Sequence, residues 1–182
     1  YWQRGGNASN NCTVLSQLGA NCEFLGMLSS SPGFSFLPQD CQQRRIHTEN
    51  CPRTEQDPPF SSVLLVKGSD GRTIIHSNSN FPILRHQHFQ DTVGSKLDRY
   101  SWIHFEGRNV QDTLAMINDI LKYNSQLENK LAHLKTSVEL EKLQQENFKL
   151  ASRAHYVFLG KDLALHMGWK HGEIAVYELR NE

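Results

Sequence analysis

The spacing of apolar residues changes along the chain, and each change predicts a different kind of element. Gly5-Gly6 open with a turn that allows unusual backbone angles and close ligand approach. Beyond it, Ala8, Val14, Leu15 and Leu18 lay an apolar stripe on a helix, so that residues 4–19 read as turn then helix, with Gly19 as the C-cap. Cys22 to Leu28 reads as a short buried strand. Pro32, Pro38, Pro52, Pro58 and Pro59 break up residues 29–60, where one short helix around Cys41 to Ile46 is expected. Two β-rich runs, Ser62 to Lys67 and Arg72 to His76, flank Gly68-Ser69-Asp70-Gly71 and predict a β-hairpin.

From residue 100 the pattern alternates between strand and helix. Tyr100 to Phe105 is a predicted strand. Val110, Leu114, Ile117 and Leu121 share one helical face, with a break expected at Tyr123-Asn124-Ser125. Leu134 to Leu140 and Tyr156 to Leu159 are further strands, separated by a helix from Gln144 to Ala151. Short helices around Asp162 to Met167 and Gly172 to Leu179 finish the chain. Crossovers of this length predict a parallel sheet with right-handed connections.

Composition narrows the class. Of 182 residues, 38% are hydrophobic and 21% charged, which suits a folded domain rather than a disordered chain. Lys and Arg number 19, as do Asp and Glu, so no general attraction for nucleic acid or anionic membrane is expected. No run approaches a membrane span, and the first residues lack the apolar core of a signal peptide. Cys12, Cys22, Cys41 and Cys51 contain no Cys-x-x-Cys pair and read as reduced thiols of a cytoplasmic protein. The nominal sequons at Asn7 and Asn11 are read as chance tripeptides.

In an open parallel sheet, ligands bind beyond the carboxyl ends of the strands. Those ends read Glu106-Gly107-Arg108-Asn109, Glu139-Leu140-Glu141-Lys142 and Gly160-Lys161-Asp162. Acids with Arg or Lys at one rim suit Mg²⁺, hydroxyl groups and phosphoryl oxygens, although loops at strand ends are polar in any case. Asn7 and Asn10 at a helix start suit a polyol, which both accepts and donates; helix capping by Asn7 or Ser9 is the competing reading. His86 and His88 lack a third ligand at a useful spacing and read as surface loop residues. His104 reads as packed or capped, and no metal site is expected. Nucleophile-elbow, Walker A and dinucleotide-binding motifs are absent from the sequence.

Several blocks, in order, resemble the ketohexokinase branch of the ribokinase-like (PfkB) carbohydrate kinases. They are Trp2 to Asn10 with Cys12 to Ser16, Gly71 to Ile74, Trp102 to Asn109, Ser137 to Lys142 and Val157 to Ala164. The resemblance covers most of the chain and is loosest over residues 29–60. It implies a three-layer α/β sandwich with a small β-sheet lid, as one partial kinase domain over 1–182. The lid hairpin falls at about 62–76 and the parallel βαβ part at about 100–182.

The implied reaction is ATP-dependent phosphorylation of a ketohexose, fructose to fructose 1-phosphate, with Mg²⁺. By resemblance Gly6, Asn7 and Asn10 bind sugar, Arg72 and Lys142 meet the nucleotide, and Glu106 and Arg108 line the cleft. The lid covers the cleft and pairs two subunits, so a homodimer is implied. The family's first acidic lid segment and its Gly-Ala-Gly-Asp motif, which holds the catalytic Asp, have no match here. A fragment truncated at both ends is therefore expected, inactive by itself for want of a base and anion hole. A non-catalytic sugar-binding or dimerisation product, or a kinase for another sugar or nucleoside, are the alternatives.

Overall fold

The computed structural model describes residues 2–68, 71–77, 80–141 and 145–180. Two compact units are present, Tyr1–Leu84 and Arg85–Glu182, and each is taken by itself.

In the first unit, α1 spans Asn7–Gln17 and starts from Gly6, whose φ of 95° is a conformation that glycine adopts without strain. At its other end Gly19 donates to the Ser16 carbonyl and Ala20 to the Leu15 carbonyl, so the predicted glycine C-cap is a Schellman motif. The single strand expected from Cys22 to Leu28 is instead two short ones, β1 (Cys22–Glu23) and β2 (Leu28–Ser29). They pair in parallel with β3 (Ile46–His47) and β4 (Arg53–Thr54), respectively. The chain bends at Gly26, where the Phe24 ring folds so close that an added Cβ would lie 2.6 Å from it.

The helix expected near Cys41 to Ile46 lies earlier, as α2 over Phe36–Gln43. Pro38 sits in its first turn, where the missing N–H has no intrahelical partner to lose. The left-handed Arg45, φ 57°, follows its end. Cys22, Leu28, Phe34, Cys41, Ile46 and Cys51 form the buried side of this unit. The predicted hairpin is present as β5 (Phe60–Leu65) antiparallel to β6 (Arg72–Ser77), in register from Phe60↔Ser77 to Leu65↔Arg72. Every residue of both strands is exposed.

The second unit opens with a helix the apolar pattern did not announce, α3 over His86–Thr92, followed by tight turns at Gly94–Arg99. His86 and His88 thus lie on a helix, not in a loop. Strands β7 (Trp102–Glu106), β8 (Lys135–Leu140) and β9 (Tyr156–Leu159) form the predicted parallel sheet, ordered β7-β8-β9. The crossover between β7 and β8 is α4, Val110–Ser125, which ends at the expected break. Between β8 and β9, Gln144 of the expected helix lies outside the described residues, and the rest is a tight turn at Gln145–Asn147 leading into a single helical turn, α5 (Phe148–Ala151). Helices α6 (Lys161–His166) and α7 (Gly172–Leu179) close the chain.

Phe105, Val138 and Leu140 bury one face of the sheet, while Met116, Ile117 and Ile120 bury one face of α4. Full burial of one such side chain contributes about 1.5–3 kcal/mol. Asn124, near the end of α4, donates to the Leu134 carbonyl and accepts from the Leu134 N–H, both at 2.9 Å, and so fixes the entry to β8. Among the described residues no helix is long and apolar enough to cross a membrane.

Candidate functional site

Strand alternation places Trp102, His104 and Glu106 on the face of β7 opposite Phe105. The parallel register sets His104 beside Ser137 and Glu106 beside Glu139. Ser137 Oγ accepts the Trp102 indole N–H at 2.7 Å and lies 2.8 Å from His104 Nδ1. The Phe158 ring meets His104 edge-on, with centroids 5.9 Å apart. So held, His104 turns its Nε2 toward Glu106 Oε1 at 4.0 Å and Glu139 Oε2 at 3.9 Å. Burial pushes the His104 pKa down, and the nearby Glu139 only partly offsets it.

Gly107 follows this cluster and donates to the Glu139 carbonyl at 2.8 Å. A Cβ there would stand 2.4 Å from that same oxygen, so the glycine serves strand-to-strand backbone approach. Asn109 takes a left-handed φ of 45°, and its side-chain amide donates to Asp112 at 2.6 Å. Asp112 also accepts the His86 backbone N–H at 2.8 Å, which chiefly holds its carboxyl below the usual range. Thr113 donates to the Arg108 carbonyl at 2.8 Å, so the Arg108 backbone is fixed while the residue stays exposed. Of the two predicted cleft residues, then, Glu106 joins the cluster and Arg108 stays exposed.

In the first unit the predicted sugar residues share one helix start. Gly6 precedes α1, Asn7 is its first residue, and Asn10 is exposed one turn on, its N–H bonded to the Gly6 carbonyl. The cap position of α1 is taken by Gly6, so neither Asn7 nor Ser9 occupies it. Ser9 instead donates to the Gly5 and Gly6 carbonyls at 2.7 and 3.0 Å, bracing the turn from inside. Arg4, with its side chain only 7% exposed, binds Asp40 at 2.7 Å and the Thr13 hydroxyl. Burial alone would raise the Asp40 pKa, but Arg4 and Arg44 together hold it below the usual range.

The predicted nucleotide residue Arg72 begins β6 and is exposed. Lys142 lies outside the described residues. The four cysteines are free. Burial, the largest cause for each, pushes Cys12 up to about 11 and Cys51 to about 12, so these thiols are poor nucleophiles.

Sequence reasoning missed the roles of His104, Ser137 and Glu139. The signal was present as His-x-Glu on one strand and Ser-x-Glu on the next, but only the β7–β8 register joins them. Arg4 and Asp40 are 36 positions apart, and no local pattern links them.

No family model matches the chain. Among solved structures, the PfkB protein from Polaromonas sp. JS666 aligns with a TM-score of 0.74 at 16% identity, covering 98% of this chain and 63% of that one. Fructokinase from Xylella fastidiosa with bound ATP aligns at 0.70 and 20% identity, covering 99% of this chain and 60% of that one. The fold is therefore that of the ribokinase-like PfkB sugar kinases. Among curated proteins, ketohexokinase from Mus musculus is 38% identical over 172 residues, 93% of this chain and 56% of the relative. The chain is a homologue of ketohexokinase and spans just over half the length of that relative.

Proposed function

We propose that this chain supplies the sugar-binding loop and lid of an ATP-dependent ketohexose kinase that converts fructose to fructose 1-phosphate. The observation that carries the reading is the 38% identity to a ketohexokinase across 93% of the chain. Gly6, Asn7 and Asn10 hold the sugar: α1 offers N–H donors at its start, and the Asn10 amide both donates to and accepts from hydroxyl groups. Glu106 accepts hydrogen bonds from hydroxyls and Arg108 attracts phosphoryl oxygens.

ATP supplies the γ-phosphoryl group, and the ATP-bound fructokinase supports its use. Arg72, exposed at the start of β6, fits a contact to phosphate, a role Lys142 shares. Mg²⁺ enters with the nucleotide, held largely by phosphate oxygens and water. The exposed Val63, Leu64, Leu65, Ile74 and Ile75 of the hairpin support a homodimer through the lid. Four free thiols support a cytoplasmic setting.

The test is phosphoryl transfer by the full-length protein to a panel of ketohexoses, with the product position read by NMR. Fructose 1-phosphate is expected. Asn10→Ala should raise the KM for fructose about tenfold, or ~1.4 kcal/mol, with unchanged circular dichroism. A folded full-length protein that phosphorylates no ketohexose sinks the proposal. An unchanged KM in Asn10→Ala removes Asn10 from the sugar site.

A further inference from the structure

We propose that His104, Glu106 and Glu139 form a binding site for a divalent transition-metal cation of the Mn²⁺ to Zn²⁺ range, separate from the Mg²⁺ that accompanies ATP. The three side chains present one ligand atom each, all within 4.8 Å of one another, and all three are partly buried. The imidazole-to-carboxylate separations of 3.9 and 4.0 Å are too long for hydrogen bonds. Ligands of one cation with bonds of about 2.1 Å stand roughly 3.0–3.4 Å apart, so these side chains need to close by about half an ångström on a shared ion. With the two carboxylate oxygens no more than 4.8 Å apart, the point equidistant from all three atoms lies roughly 2.0–2.5 Å from each, and metal–ligand bonds to N and O fall in or close to that range.

Two further features of His104 support the assignment. Its Nε2 is buried and has no hydrogen-bond partner among the described residues, yet it faces both carboxylates. Its other nitrogen sits 2.8 Å from Ser137 Oγ, the outer contact that commonly fixes the ring of a metal-binding histidine. Trp102 holds Ser137 in turn, so the imidazole is oriented before any ion arrives. One imidazole with two carboxylates favours Mn²⁺, Fe²⁺ or Zn²⁺ over Mg²⁺, which prefers oxygen ligands and retained water.

The proposal goes beyond the kinase reading and does not depend on it, so its test uses the purified chain with neither sugar nor nucleotide. Mn²⁺ is titrated into the chain and followed by EPR, with pulsed EPR reading coupling to ¹⁴N. One equivalent should bind with a ¹⁴N coupling from His104, resist an equal concentration of Mg²⁺, and be displaced by Zn²⁺. The near-isosteric Glu139→Gln should weaken binding at least tenfold, and His104→Gln should abolish the ¹⁴N coupling, each checked by circular dichroism for retained fold. If a variant unfolds, the wild-type ¹⁴N coupling and competition series still decide. Saturation without ¹⁴N coupling, unchanged affinity in a folded Glu139→Gln, or no saturable binding would each overturn the assignment.

Discussion

Gly107→Ala tests how tightly the carboxyl ends of β7 and β8 are joined. The added Cβ would lie 2.4 Å from the Glu139 carbonyl oxygen, whereas an ordinary carbon–oxygen contact is about 3.3 Å, so roughly 0.9 Å of relief is needed. That oxygen also accepts the Gly107 N–H at 2.8 Å, and any movement that frees the Cβ stretches this bond. Relief by 0.9 Å would take the bond to about 3.7 Å, outside hydrogen-bonding range. Overpacking costs about 1–3 kcal/mol, and an unpaired buried backbone group about 1–3 kcal/mol more. A total near 3 kcal/mol is expected.

Urea unfolding followed by circular dichroism measures the loss, with thermal melting as a second reading. At about 2–4 °C per kcal/mol for a chain of this size, the midpoint should fall by roughly 6–12 °C. Gly172→Ala is the control: no atom lies within 4 Å of its added Cβ, and alanine favours a helix. It should be neutral or slightly stabilising. If Gly107→Ala stays within about 0.5 kcal/mol of wild type, the Gly107–Glu139 contact does not constrain the strand end, and the packing argument fails.

Other expectations follow from single groups. Asn124→Ala strips both polar partners from the backbone of the buried Leu134 and should cost about 2–4 kcal/mol in the same urea assay; a loss below about 0.5 kcal/mol would refute that role. His155 Nδ1 accepts the Thr136 N–H at 3.1 Å, and its pKa is lowered by burial first, then by Lys135 and His133. With a folded pKa below the unfolded value of about 6.5, the unfolded chain takes up more protons as pH falls through that value. Stability should therefore hold above about pH 7.5 and decline below about 6.5, less steeply in His155→Gln; equal slopes in the two proteins would sink this. Raised thiol pKa values predict slow labelling of Cys12 and Cys51 by a thiol reagent at pH 8 in the native chain and fast labelling in denaturant, a contrast that a rapid native reaction would contradict.

Elements with strong local signals were legible in the sequence. The hairpin was marked by two β-rich runs around a Gly/Asp turn, α4 by its apolar face, and β9 by an apolar run of strand length. Where the structure departs, distant parts of the chain decide. Residues 22–29 look like one strand because Gly26 is the only break among them, yet β1 and β2 each find a separate partner beyond α2. Helix α3 carries few apolar residues, and its start is held by Asp112 on α4, 26 positions away. The His104, Glu106 and Glu139 cluster was hidden for the same reason, since strand register is not written in either strand alone.

The glycines at the strand ends show how one residue type supports two readings. A glycine between two charged residues permits close approach of a ligand; in the structure the space next to Gly107 is taken by the Glu139 carbonyl. Gly160, at the end of β9, repeats the arrangement from the other side, donating to the Leu140 carbonyl at 2.9 Å with its added Cβ 3.2 Å from that oxygen. Both outer strands thus turn away across the backbone of the central strand β8 without a side chain between them. Larger residues at 107 or 160 would push the strand ends apart, and Glu106 and Glu139 are register neighbours on two of those strands. The glycines act on the site through the backbone: by keeping β7 close to β8, they set the spacing of the two carboxylates that face His104.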